Sequence, residues 1–319
     1  MSVLIVKLSA LGDVIQALSA VKKYHALHPH KKISWLVEKR NKDVLKDVPF
    51  IDQLIVVDTY ALRKNPYLIF KEIQRLRLLK FDQIFDLQGN FKSFLFLIFL
   101  KAKEKIGFDF FSAPEKIASF ALSKKIHIPK EGSIIAQYTH LLMQKPLDEI
   151  DDNLEESKEA LSYFLLLGSK WENKKLPLVV WEKIAWQIQN QKRLPVYVPY
   201  FGIDEEHLVD ELKKRCPFII KIYEPDLAKM KTMFSPSTKV IGVDSALLHL
   251  AAFSKAKTFG IFGPSSAKVY QLQPNQYWQG NCPDHISFIK RCPKLRTCKH
   301  GNCLKELPVE ALLNELEDF

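Results

Sequence analysis

Val3-Leu-Ile-Val-Lys-Leu-Ser-Ala-Leu-Gly-Asp-Val14 places an apolar run, a loop of small residues and an acidic side chain directly before a helical pattern. The run from Val3 to Val6 contains no polar residue and stops at Lys7, as a short strand buried on both faces of a parallel sheet does. Ser9-Ala-Leu-Gly12 forms the loop. Beyond Asp13, Val14, Leu18 and Val21 recur at helical spacing until His28-Pro29 ends the helix. Strand, loop and helix in this order are the first half of a βαβ unit, and they predict an α/β fold with a doubly wound sheet.

The pattern repeats outward from that opening. Ile33-Ser-Trp-Leu-Val37, Leu54-Ile-Val-Val57 and Gln83-Ile-Phe-Asp86 read as strands, and 67–80 and 91–100 as helices. Six carboxylates then crowd between Leu147 and Glu159, which reads as a solvated linker. Alternation resumes with strands at Tyr163-Phe-Leu-Leu-Leu167, Val196-Tyr-Val198, Ile219-Ile-Lys-Ile222, Lys239-Val-Ile-Gly-Val243 and Thr258-Phe-Gly-Ile-Phe262. A helix from Val309 to Glu317 closes the chain and is a candidate to pack back on the first domain. The expected organisation is two Rossmann-like domains, 1–150 and 151–319, facing a cleft. Ligands of such sheets bind at the carboxyl ends of strands, so Asp13, Gly168-Ser169 and Asp244-Ser245 are expected on the cleft walls.

Composition narrows the partners. The 319 residues suit two domains, and 47 Lys and Arg against 36 Asp and Glu give a net charge of +11. Such an excess suits nucleic acid, an anionic membrane surface or a phosphorylated substrate. No nucleic-acid motif accompanies it, so nucleic acid is not expected. The N-terminus has no basic leader before its apolar run, and a cytosolic chain is expected. Phe94-Leu-Phe-Leu-Ile-Phe-Leu100 is the most apolar stretch, at seven residues against the roughly 20 that a spanning helix needs. It is a buried helix or an interfacial one, with burial preferred. The five cysteines, Cys216, Cys282, Cys292, Cys298 and Cys303, are odd in number and contain no CxxC pair. Free buried thiols are expected, with neither a disulfide framework nor a metal site.

Three strand-end motifs carry the polar chemistry. Asp13 is either a helix N-cap or a general base aimed by the turn at Gly12. Gly168-Ser-Lys-Trp-Glu-Asn-Lys-Lys-Leu-Pro177 offers a hydroxyl, ammonium groups and a helix whose first turn contains Pro177, which suits a diphosphate; a solvated basic loop is the alternative. Val243-Asp-Ser-Ala-Leu-Leu-His249 puts Asp244 and Ser245 at another helix start, with His249 on the same helix face as Ser245. Asp244 cannot attract a diphosphate itself, and its charge suits orienting Lys174 or His249.

Together these motifs have a family likeness. The N-terminal block, Trp35-Leu-Val-Glu38, Phe81-Asp-Gln-Ile-Phe-Asp-Leu-Gln-Gly-Asn-Phe-Lys-Ser93, Lys105-Ile-Gly-Phe108, Lys174-Lys-Leu-Pro177, Val243-Asp-Ser-Ala-Leu-Leu-His-Leu-Ala-Ala252 and Phe262-Gly-Pro264 occur in order along nearly the whole chain. The sequence resembles the lipopolysaccharide heptosyltransferases of glycosyltransferase family 9, and its N-terminal half is most similar to the heptosyltransferase I branch. The resemblance implies a GT-B fold, with an acceptor domain first and a nucleotide-sugar domain second, and inverting transfer without metal or cofactor. It implies ADP-heptose as donor and a phosphorylated Kdo-lipid A acceptor at the anionic cytoplasmic face of the inner membrane.

Residue by residue, Asp13 matches the family's general base and Lys174 the lysine on the donor diphosphate. Asp244, Ser245, Ala246 and His249 match the diphosphate loop. Glu206 matches the ribose-binding acid, Leu227 the apolar residue beside adenine, and Arg63 with Lys64 part of a basic cluster for acceptor phosphates. Ser169 and Lys170 stand where the family has a threonine pair, and Ser245-Ala246 where it has Thr-Gly. Acceptor-side arginines are replaced around Ala113-Pro-Glu115 and at Gln137. The alternatives are another nucleotide sugar, a later core acceptor, or a non-catalytic GT-B binding module. The presence of both Asp13 and Lys174 speaks against the last.

Overall fold

Two parallel six-stranded sheets organise the chain, one in each half. The computed structural model describes residues 1–145, 159–270, 276–298 and 300–319. The chain divides into two compact units, Met1–Asp151 and Asp152–Phe319. The acidic stretch expected as a linker lies, apart from Glu159, outside the described residues.

In the first unit the elements run β1 (Ser2–Val6), α1 (Leu11–Leu27), β2 (Lys32–Glu38), β3 (Gln53–Val57), α2 (Thr59–Lys64), α3 (Pro66–Leu78), β4 (Lys80–Asp86), α4 (Phe91–Leu97), β5 (Lys101–Phe108), β6 (Lys124–Ile126) and α5 (Ile134–Met143). The sheet order is β3-β2-β1-β4-β5-β6. Val3 pairs with Ile33 on one side and Gln83 on the other. The order reverses between β1 and β4, so the loops after these two strands flank a switch-point crevice. Leu4, Val6, Leu36, Ile84, Leu76, Phe96 and Leu97 share one core cluster, which puts α3 and α4 on one face of the sheet.

The second unit runs β7 (Ser162–Leu166), α6 (Leu178–Gln191), β8 (Val196–Tyr200), α7 (Ile203–Arg215), β9 (Ile220–Tyr223), α8 (Leu227–Met233), β10 (Thr238–Val243), α9 (Ala246–Phe253), β11 (Lys257–Phe262), α10 (Ala267–Tyr270), β12 (Tyr277–Gln279), α11 (Asn302–Lys305) and α12 (Val309–Glu317). Its order is β12-β11-β10-β7-β8-β9, with the reversal between β7 and β10. The last helix contributes to this unit's core. Leu312, Leu316 and Phe319 are buried with Trp181 and Ile184 of α6.

The apolar runs lie in strands as expected, and the differences have local causes. The helix read over 91–100 ends at Leu97 because β5 begins at Lys101. That strand opens with Lys101, Lys103 and Lys105, so only Ile106 onward carries a buried apolar signal. β6 and β12 are three residues each, too short for a period to register. Pro177 is the N-cap of α6, not a residue of its first turn.

Trp181 is fully buried in the second core, and α6 also buries Val180, Ile184 and Ile188. Trp181→Ala should therefore lower unfolding free energy by roughly 3–5 kcal/mol, measured by urea denaturation. A loss below about 1 kcal/mol would mean that this ring does not anchor the core.

Candidate functional site

Each switch point carries a polar constellation, and each is built within its own unit. In the second unit, β7 leads through Gly168 and Ser169 to a single 3₁₀ turn, Glu172–Lys174, while β10 leads to Asp244 and the start of α9. Lys174 donates from Nζ to Asp244 Oδ2, and both side chains are about nine-tenths buried. His249 Nε2 lies 3.4 Å from Asp244 Oδ1. Ser265, just past β11, donates its hydroxyl to Asp244 Oδ2.

Burial alone would push the Asp244 carboxyl up. The hydrogen bond from His249 and the charge of Lys174 outweigh it and hold the group far below the usual carboxylate range. Asp244 thus orients Lys174 and His249 together, where charge reasoning left a choice between them. Ser245 is the N-cap of α9, its Oγ accepting from Leu248 N at 3.4 Å, and Ala246 is the first helical residue. The arrangement presents one ammonium group, one hydroxyl and the amides of a helix start, which together suit an anion.

The other donor-side candidates belong to the same unit. Ser169 accepts from Trp171 N at 3.4 Å, and Lys170 is exposed. Glu206 lies in the first turn of α7, 4.0 Å from Lys221, which also pairs with Asp210. Leu227 opens α8 and is half-buried. Glu205, the neighbour of Glu206, was not singled out in the sequence. Its carboxylate crowds Gly168, where an added Cβ would stand 2.1 Å from Oε1, so a side chain there would require the Glu205 carboxylate to swing away.

The cysteine-rich segment buttresses the Lys174 turn. Asn173 donates from Nδ2 to Leu295 O at 2.8 Å and to Cys298 O at 3.3 Å. Cys282, Cys292, Cys298 and Cys303 line a common cavity, and burial pushes the Cys303 thiol up to about 11. Among the described residues no three His, Cys, Asp or Glu side chains group as metal ligands.

In the first unit Asp13 is the third residue of α1, and the N-cap is Ala10. The capping alternative is thereby revised: Asp13 Oδ2 reaches back to Ala10 N at 3.3 Å. The loop before it is clamped from several directions. Gln88 Oε1 accepts from both Leu8 N and Ser9 N at 3.0 Å, Asn41 Nδ2 donates to Leu8 O at 2.8 Å, and Trp35 Nε1 donates to Lys7 O at 3.1 Å. Lys7 Nζ is drawn inward, donating to Leu87 O at 3.1 Å and Tyr138 Oη at 2.7 Å.

Gln88 is held in turn by its own loop. Asp86 Oδ1 accepts from Gln88 N and Gly89 N, and Ser93 Oγ donates to Asp86 Oδ2 at 2.9 Å. Gly89 has φ +63°, and a Cβ there would meet Pro114 Cδ at 2.7 Å. Gln88 and Asn41 are site residues that the sequence reading did not assign, although Gln88 lies inside the family-like block 81–93.

Arg63 and Lys64 end α2, exposed, with Lys64 Nζ 4.5 Å from the Tyr60 ring centre. Gln137, one of the arginine replacements, is buried and donates to Lys130 O and Gly132 O.

Residues 69–280 match the model of glycosyltransferase family 9 (heptosyltransferase). Lipopolysaccharide heptosyltransferase 1 of Pseudomonas aeruginosa is 25% identical over 284 residues, covering 83% of this chain and 79% of that one. The Campylobacter coli protein of the same name is 26% identical over 313 residues, covering 86% and 88%. Among solved structures, E. coli heptosyltransferase WaaC with ADP-2-deoxy-2-fluoro heptose superposes with a TM-score of 0.80 at 21% identity, covering 100% of this chain and 99% of that one. E. coli ADP-heptose lps heptosyltransferase II gives 0.68 at 16% identity, covering 100% and 98%. The two-sheet architecture is the GT-B fold.

Burial pushes the Asp86 carboxyl up to about 6 from 3.8, against the opposing hydrogen bonds from Gly89, Ser93 and Gln88. A raised folded-state value means that this group stabilises the fold fully below about pH 4 and loses that contribution as pH rises through about 6. Asp86→Asn mimics the protonated acid and removes the dependence. Between pH 4 and 7 the wild type should lose roughly 2–3 kcal/mol relative to the variant, read from urea denaturation at each pH. Parallel stability profiles would contradict the buried acid.

Proposed function

The chain belongs to glycosyltransferase family 9, the heptosyltransferase family, and from that premise we propose that it moves a heptose from ADP-heptose to the Kdo inner core of lipid A, inverting the anomeric carbon. The observation that carries the donor half is the buried Lys174–Asp244–His249 network at the start of α9. The relatives named lipopolysaccharide heptosyltransferase 1, and the solved WaaC with ADP-2-deoxy-2-fluoro heptose, support the choice of acceptor and donor class.

In this reading Asp13 takes the proton from the acceptor hydroxyl as its oxygen attacks the anomeric carbon. The bond from that carbon to the diphosphate oxygen breaks, and ADP leaves. Lys174, the Ser245 hydroxyl and the first amides of α9 stabilise the departing charge, with Ser169 and Lys170 on the neighbouring loop. Protein cations thereby serve where other transferases use a metal. Glu206 holds the ribose, Leu227 packs beside adenine, and Arg63 with Lys64 receives acceptor phosphates. No helix among the described residues is long and apolar enough to cross a membrane. The lipid-linked acceptor is met peripherally, at the anionic cytoplasmic face.

A second reading within the family, another sugar or a later core acceptor, draws on Gln137. Its amide is spent on the backbone of the loop before α5, where the family has an acceptor-side arginine. A screen of nucleotide sugars for thermal stabilisation, followed by transfer to Kdo-lipid A, separates the two readings.

Asp13→Asn should fold and bind ADP-heptose normally while losing roughly 100- to 10,000-fold in transfer rate; near-wild-type turnover would remove Asp13 from the base role. Arg63→Ala with Lys64→Ala should raise the acceptor KM and leave nucleotide affinity unchanged. The defect should shrink with dephosphorylated acceptor. Equal defects on both lipids would show that these side chains do not read phosphate.

A further inference from the structure

The apolar stretch 94–100 is buried on one side and exposed on the other. One side of α4 buries Phe96 and Leu97 in the first core, joined by Leu100 beyond its end. The other side leaves Phe91 and Leu95 exposed, with Ile98 just past the helix, at positions i, i+4 and i+7. This outward face has neighbours of the same kind. The 3₁₀ turn Lys116–Ala121 packs against α4 and exposes Ile117 and Phe120. The Phe120 ring lies 6.3 Å from Phe110, which lies 5.7 Å from Phe111. Phe111 and Phe120 are 74% and 70% exposed. Exposed apolar side chains thus cluster on α4, on the turn packed against it and on the loop after β5, where scattered single residues would need no explanation.

The charge around it has one dominant sign. Residues 91–125 contain seven lysines (92, 101, 103, 105, 116, 124, 125) and three acids (Glu104, Asp109, Glu115). Glu115 accepts from Phe91 N, Asp109 pairs with His127, and Glu104 accepts from Gln83. Lys103 pairs with Asp82 at 2.8 Å. Lys116 Nζ stands 4.8 Å from the Phe110 ring centre, and Arg77 extends the basic rim over Phe99 at 5.4 Å. Lys92, Lys101, Lys124 and Lys125 are half-buried or exposed along the same segment.

We propose that this face, centred on Phe91, Leu95, Phe110, Phe111 and Phe120 and rimmed by lysines, is where the protein seats on an anionic lipid surface. Aromatic and aliphatic side chains enter the headgroup boundary while the lysines meet lipid phosphates. Charge complementarity selects this occupant over a second copy of the chain. A face rimmed by lysine repels its own image on a molecule of net charge +11, and lysine is depleted in protein–protein interfaces. The proposal deepens the lipid-linked acceptor reading and rests on it for the membrane's role in the reaction.

The test uses the full chain and vesicles without any acceptor lipid. Wild type should cosediment with vesicles of phosphatidylethanolamine and phosphatidylglycerol, weakly with pure phosphatidylcholine, and less as salt rises. Phe111→Ser with Phe120→Ser should reduce binding at least tenfold, and Lys92→Glu with Lys116→Glu should do so on anionic vesicles alone. Both variants should transfer to a delipidated, soluble acceptor as wild type does. Undiminished cosedimentation of both variants would overturn the proposal. So would a dimeric wild type that becomes monomeric in the serine variant, since the face would then join two copies. Vesicle binding without heptose transfer would sink the functional reading and leave the surface standing.

Discussion

A carboxylate can remain charged inside a protein only when cations and hydrogen-bond donors replace the water it has lost. Asp244 meets that constraint with donors from three separate segments: Lys174 after β7, His249 one turn into α9 and Ser265 after β11. Removing a partner from such a pair commonly costs roughly 3–5 kcal/mol, because the other charge is left alone. Asp244 therefore ties the ends of adjacent strands together and fixes an ammonium group beside the start of a helix. Each of those donors is placed by an element that the core positions for unrelated, apolar reasons.

The first unit solves a comparable problem with a neutral amide side chain. Gln88 satisfies two successive backbone amides of the loop before α1, so that loop can lie close to the sheet with its donors occupied. Asn41 and Trp35 hold its carbonyls. Asp13, whose carboxylate closes on Ala10 N, thus directly follows a loop gripped from β2, the turn after it and the loop after β4. Preorganisation of that kind suits a group whose proton transfer depends on position as much as on basicity.

Much of this was legible in the chain. Uninterrupted apolar runs located the central strands because parallel strands are buried on both faces. β5 escaped because its first half alternates lysine with small or polar residues, and the shortest strands have no period to read. At the site, Lys174, Asp244 and His249 could be singled out as polar residues next to strand ends, but their mutual geometry could not. Ser265 and Gln88 stayed hidden for a different reason. A side chain that serves a carboxylate or backbone groups distant in sequence leaves no spacing signal, and only the folded register brings Gln88 within reach of Leu8 and Ser9.

The two halves have the same strand order, each with its polar constellation at its own point of reversal. Their tolerances to change are accordingly separate. Under the proposed function, a change of acceptor can be made around Arg63 and Lys64 while the Lys174–Asp244 centre keeps its bonds.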